Sequence, residues 1–453
     1  MTATEQQDQT TTSGGRAGGG LPAASLPEAL SILLTGVVPA LVRGLFAPRR
    51  SAMKLLTKLD ADARAIRALS SVRRKHDGQG VKLLGGRIVV LWGEPAIREV
   101  LDASADAYAS DAGAKAKGMS HFQPDALTLS RGEEWRDRRA FNESVLATSH
   151  RVHPLAQRFL TVVAGEVERL GLTRTLDYDQ WEWLFDHITL RVIFGDEARD
   201  DQALTARLER LMGEANRLVG LDYNDDYYEL YAGIERYIRE PGAGSLVAQI
   251  ADAPHTDRTR ITQQIPHWMF ATRDTLGANA YRALAAIVAD PSVRERATKE
   301  AETADLTDPQ AIDGMTYLEG CLHEAMRLWP TTPLLAREAT REVTLAGEPL
   351  EPGTQVMMVN VFNHRDPDDV AGADRLQPER WSDRDKHDYR FNHLSNGTQD
   401  CPGGPLVLLL GTAVLAQVLK RYELTLAEPH MTAGEPLPST LNFYETRFEA
   451  RPR

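Results

Sequence analysis

Residues 396–405 read Asn396-Gly397-Thr398-Gln399-Asp400-Cys401-Pro402-Gly403-Gly404-Pro405 and lead straight into a run of Leu, Val and Ala that reads as a buried helix. A thiol at such a helix start faces unpaired backbone N–H groups and the positive end of the macrodipole. Both effects favour the thiolate, the form that binds a metal. The flanking glycines let the backbone pass close to a large, flat ligand. Cys401 is therefore the first candidate metal ligand.

The totals narrow the alternatives. A chain of 453 residues can bury a large core. Its formal charge of −12 argues against nucleic acid and anionic membrane surfaces as main partners. The two cysteines, Cys321 and Cys401, form no CxxC, so neither a disulfide framework nor a zinc site of the usual spacing is expected. The chain reads as intracellular and cytoplasmic. Residues 1–22 are read as a disordered tail, 23–50 as an apolar or amphipathic segment, and 51–453 as one domain. The stretch Leu30–Phe46 is shorter than the roughly 20 residues a spanning helix requires. It is read as an amphipathic helix packed on the domain, with at most peripheral membrane contact through residues 26–46. A polar prefix without a basic start makes a secretory signal a poor reading.

Helical periodicity dominates the middle of the chain. Asp60–Lys75 carries apolar residues at helical spacing. Val81–Leu84 and Arg87–Leu91 flank Gly85-Gly86, a hairpin signal. Residues 105–131 lack a sustained period and are expected to form a long loop. Helices fill most of 133–330, and strand patterns appear at Leu335–Ala346 and Gly353–Val361. The last 25 residues resemble a closing ribbon. The fold class is mainly α, with a small β-sheet region.

Two further motifs carry chemistry. Glu324 and Arg327, three apart on a helix over Met315–Trp329, share a face within apolar neighbours, and Arg380 can join them. Such a buried trio is structural rather than catalytic. In Phe270-Ala271-Thr272-Arg273-Asp274-Thr275-Leu276, on a helix expected to start near Asp257, an acid and a hydroxyl interrupt apolar sequence. Thr275 can bond back to a carbonyl one turn earlier. Opposite a thiolate-bound haem, the pair can instead gather and pass protons.

These motifs, with Pro378-Glu379-Arg380-Trp381 and Trp135-Arg136-Asp137-Arg138-Arg139, follow one another as in the cytochrome P-450 family, and the chain resembles a soluble, bacterial-type member. The resemblance implies a triangular fold of many helices around haem b, with Cys401 as the axial thiolate. It places Trp135, Arg139, Arg337 and Gln399 at the haem propionates, Asp274 and Thr275 at proton delivery, and Glu324, Arg327 and Arg380 in a brace behind the haem. It places Met119, His121, Phe122, Trp268, Met269, Phe270, Ala271, Leu334, Leu335 and Phe443 around a substrate pocket. A tyrosine group, Tyr223, Tyr227, Tyr228 and Tyr231, falls where a lid would lie.

The implied activity is O2-dependent oxidation, hydroxylation or epoxidation, of a medium-sized lipophilic or aromatic compound, in secondary metabolism. Electrons would come from a separate donor, either ferredoxin with its reductase or a flavin reductase, and Arg136 and Arg138 would help it dock. A peroxide-driven or oxidative-coupling haem-thiolate enzyme and a non-catalytic haem sensor or carrier are the alternatives. The chain departs from the family pattern at Leu394, where Phe is usual, at Gln399, where Arg or His is usual, and at Thr272, where Gly is usual. Arg273, beside Asp274, is also unusual.

Overall fold

A computed structural model describes residues 20–111, 113–384 and 387–453, so nearly all of the expected tail lies outside the described residues. At the centre is a broken helix of three parts, Ile265–Phe270, Ala271–Leu276 and Gly277–Ala289. The last part is apolar apart from Asn279, Tyr281 and Arg282 and is buried from Gly277 to Val288, as so apolar a pattern requires. Helices Tyr178–Phe194, Thr316–Leu328 and Gly404–Arg421 pack around it. Local signals set their ends. Asp177 accepts the Gln180 N–H at 3.0 Å to cap the first, and Gly403 followed by Pro405 opens the last. The expected start near Asp257 is corrected to Ile265, because Pro266 suits a first helical turn and lacks the N–H an interior needs.

A five-stranded sheet runs in the spatial order Gly80–Leu83, Ile88–Leu91, Gln355–Val359, Leu334–Ala339, Tyr108–Ala109. Its first two strands form the hairpin at Gly85-Gly86. A separate three-stranded sheet pairs Arg447–Pro452 with both Tyr422–Glu428 and Thr175–Leu176.

Residues 105–131 are not one long loop. They hold the short strand Tyr108–Ala109, the helix Gly113–Met119 and a turn of 3-10 helix at Leu127–Leu129. In Gly-Ala-Lys-Ala-Lys-Gly no apolar residue larger than alanine marks a face, so periodicity had nothing to register there.

The N-terminal segment is helical from Leu26 to Arg43, through a π-helical stretch at Leu33–Val37. Its 18 residues stand, by length and composition only, at the lower limit for crossing a membrane, against the 17 read from sequence. Ala29, Ile32, Gly36 and Ala40 face the protein, and Arg43 pairs with Asp62 at 2.8 Å. Leu26, Leu30, Leu34, Val38 and Leu41 face outward. Gly404–Arg421 passes the same length test but is 78% buried and belongs to the core.

Candidate active site

The loop before Gly404 is pinned from both sides. Gly397 sits at φ +70°, and a Cβ there would lie 2.3 Å from the Leu101 carbonyl oxygen, so only glycine fits. Thr398 donates from its hydroxyl to the Ser104 carbonyl at 2.7 Å. The Cys401 N–H donates to the Leu394 carbonyl at 2.8 Å, closing the turn that presents the sulfur. Leu394 packs on the main core, filling with an aliphatic chain the place where the family's aromatic ring is usual.

Cys401 lies three residues ahead of the helix proper. Burial pushes its thiol up, and Asp400 adds to this; the Gly403 N–H and Arg139 act the other way. Without a metal, then, burial outweighs the helix start, and the expected preference for thiolate needs a cation to restore it. Gly404 is buried, yet a Cβ built there would meet nothing within 4 Å. Open space therefore adjoins Gly404, whose N–H donates to the Cys401 carbonyl at 3.1 Å. Cys321 is wholly buried, and burial holds its thiol well up, as in an inert core cysteine.

Cations gather at the edge of this site. Arg337, 3% exposed, donates from Nε to the Ser104 hydroxyl at 3.1 Å and from Nη1 to the Ala336 carbonyl at 3.0 Å. Among the described residues no carboxylate pairs with it, and burial alone lowers it to about 10. Lys115, unnoticed in the sequence, sits close enough to feel Arg337; burial first and that charge second lower it to about 7. Its ammonium donates to the Thr128 hydroxyl and carbonyl. The nearest acid that favours its charge, Asp111, is taken by Arg131 at 2.8 Å.

The other expected partners of the propionates differ. Arg139 is occupied: it donates to the Asp400 carbonyl at 2.6 Å and pairs with the carboxylates of Asp400 and Glu143. Trp135, one turn earlier, is half-buried. Gln399 Oε1 is buried and has no hydrogen-bond partner among the described residues. A buried guanidinium without a carboxylate, a half-buried ammonium and open space one turn from a cysteine suit a flat, doubly anionic metal ligand. The residues present fit haem.

The second half of the site lies on the broken helix. Ala271–Leu276 forms a π turn, a distortion often found where function needs it. Among the described residues the Thr275 hydroxyl makes no hydrogen bond, so it does not bond back along its own helix. Asp274 is half-buried, and loss of water around it raises it to about 6 despite Arg273. Arg273 is 7% exposed at its side chain and binds Asp274 at 2.6 Å, Glu209 at 3.1 Å and Asp186, with Glu182 at 3.5 Å. Thr272 is buried.

Glu324 and Arg327 are both 0% exposed and paired through two hydrogen bonds, at 2.7 and 2.8 Å. Arg380 reaches the same carboxylate at 3.2 Å, and the Trp381 indole donates to it at 2.9 Å. Arg327 spends its remaining donors on the carbonyls of His364, Ala373 and Arg375. The cluster is saturated, which is what makes a buried pair tolerable.

Around the pocket, Phe270, Phe122 and Phe46 form an edge-to-face series with centroids 6.1 and 6.0 Å apart. Ala271, Leu334 and Leu335 keep accessible surface although their elements are central, while Met119 and Met269 are buried. Two of the expected pocket residues have partners of their own. Trp268 stacks on Phe141 and donates to Asn142 at 2.7 Å, so its indole is spent on core packing. His121 is held by Glu214 at 2.9 Å. Phe443 packs against Tyr178, centroids 4.6 Å apart. Of the tyrosines, Tyr231 bonds the Phe122 carbonyl at 2.7 Å and Tyr223 the Ser120 carbonyl at 3.3 Å, laying the helix Asp225–Arg239 over this stretch. Arg138 is buried, bonded to the Arg258 carbonyl at 3.0 Å, so it is not available to a docking partner.

Residues 245–440 match the family profile described as Cytochrome P-450. Over that stretch the chain is similar to the cytochrome P-450 family. Its similarity to "Probable cytochrome P-450 4aa1" of Drosophila melanogaster is 29% identity over 165 residues, 35% of this chain and 32% of the relative. With the mouse "1,25-dihydroxyvitamin D(3) 24-hydroxylase, mitochondrial" it shares 27% over 197 residues, 42% of this chain and 38% of the relative. Human "Cytochrome P-450 4V2" is 25% identical over 170 residues, 36% and 32% of the two chains. The match thus spans about a third of the length of these relatives. Cytochromes P-450 hold haem b through a cysteine thiolate, and the haem, when bound, supplies the oxygen-activating redox chemistry.

Proposed function

We propose that the protein is a haem-thiolate monooxygenase that oxidises a medium-sized lipophilic or aromatic compound, with Cys401 as the iron ligand. One observation carries the reading: the pinned loop presents Cys401 one turn before the open space at Gly404, and the helix that starts there packs on the π turn that holds Asp274 and Thr275. Asp274 takes up a proton that burial favours, and Thr275 keeps a free hydroxyl to orient water. Retention of both groups supports O2 over peroxide as oxidant. Arg337 binds propionate, and Glu324, Arg327 and Arg380 brace the fold. Phe122, Phe270, Ala271, Leu334 and Leu335 form the apolar wall against substrate. Electrons come from a separate donor that meets the exposed Arg136.

The test is spectroscopic. Reconstituted wild type should show the thiolate-type red-shifted ferrous–CO Soret band, and lipophilic ligands should displace water from the ferric form with a spin-state change. A protein that takes up no haem overturns the proposal.

The outward leucines of Leu26–Arg43 support peripheral membrane contact through residues 26–46, with Arg49, Arg50 and Lys54 exposed next to them. Co-sedimentation with lipid vesicles tests this. Replacing Leu30 and Leu34 by Ser should release the protein, and unchanged binding would exclude this face.

A further inference from the structure

We propose that Lys115 is the second cationic anchor of the haem propionates in this chain, a role left open by Gln399 and by an Arg139 already held by two carboxylates. The inference rests on the haem reading above.

Charge balance leads to it. Two propionates bring two negative charges to the edge of the site. Gln399 can offer only a neutral amide, whose oxygen is buried and unbonded. Arg139 is bound by Asp400 and Glu143, so its charge is already neutralised from within the protein. Arg337 remains, buried and without a carboxylate among the described residues. One cation faces two anions.

Lys115 supplies the missing charge. It is half-buried on the short helix Gly113–Met119. Its partner Thr128 also accepts from Ser110, next to Ala109, which pairs across the sheet with Glu338, the neighbour of Arg337, and Lys115 feels the Arg337 charge. A buried cation with a half-buried one near it, neither with an acid of its own, is costly unless an anion sits beside them. The Thr128 hydroxyl and carbonyl hold the ammonium in place, but neither carries charge. Asp111 cannot serve, because it belongs to Arg131. Arg337 is itself tied through Ser104 to Thr398, two residues before Asp400, so the pair of cations is fixed to the loop that presents Cys401. A dianion coordinated at that sulfur meets both.

The experiment follows haem loss to an excess of a haem-scavenging apoprotein, using holoenzyme. A charge-assisted hydrogen bond of this kind predicts that Lys115→Met releases haem about tenfold faster than wild type. Lys115→Arg should stay within about twofold, since it keeps the charge. Reconstitution with haem dimethyl ester, whose propionates carry no charge, should bring Lys115→Met and wild type together. Equal loss rates with native haem would overturn the assignment. So would a tenfold difference that persists with the ester, because a packing role does not depend on propionate charge. A wild-type protein unable to take up haem would overturn the underlying reading as well, which separates the two failures.

Discussion

Arg273 donates from Nη1 to the carboxylate of its own neighbour, Asp274, at 2.6 Å. Adjacent residues on a regular helix point about 100° apart, and here the pair lies within the π turn Ala271–Leu276. The same guanidinium holds Asp186, Glu209 and Glu182, which come from the helices Tyr178–Phe194 and Gln202–Ala215. One buried cation therefore ties three helices together at the proposed proton-delivery group.

Replacing Arg273 by Met should destabilise the protein by about 1–3 kcal/mol, because it leaves four crowded, mostly half-buried carboxylates without the cation they share. Urea denaturation checks this. A loss below about 1 kcal/mol would place the cluster with ordinary surface pairs.

The surplus of acids predicts a pH dependence. Burial raises Glu182 from 4.5 to about 7. Between those values the folded state binds a proton that the unfolded chain releases, so stability falls as pH rises through the window. The cost is absent below the unfolded value and complete above the folded one. Glu182→Gln should flatten the slope of melting temperature against pH. An identical slope in the variant would assign the titration elsewhere.

Cys401→Ala should abolish the thiolate-type shift of the ferrous–CO band, and an unchanged spectrum would remove Cys401 as ligand. Thr275→Ala should keep haem content and waste NAD(P)H without product, given a competent donor. Wild-type coupling in that variant would separate Thr275 from proton delivery.

Glu324→Gln leaves Arg327 buried with its charge unmatched, and Arg380 and Trp381 lose the carboxylate that they share. About 3–5 kcal/mol of stability should go, whether or not haem is bound. Calorimetry of the apoprotein distinguishes this from a cofactor effect.

Much of the architecture is legible because it follows from period and punctuation. Ala61–Lys75, the hairpin at Gly85-Gly86 and the strand around Arg337 all lie where apolar spacing and glycine indicate. Other features depend on partners far along the chain. Nothing in Ala-Lys-Ala-Lys singles out Lys115, whose importance comes from Arg337, more than 200 residues away. Arg138 reads as an exposed cation but is enclosed by the Arg258 segment. Arg139 reads as free for propionate until Asp400 folds onto it. The π turn left no periodic mark, since it inserts a single residue's worth of slack.

The contact of Gly397 with the Leu101 carbonyl has a wider consequence. The sulfur's position is gauged from the end of the helix Glu94–Asp102, outside the stretch that matches the family profile. Substitutions that tilt that helix would move the proposed iron ligand without touching it, so a cofactor held there would inherit part of its electronic behaviour from the N-terminal quarter of the polypeptide.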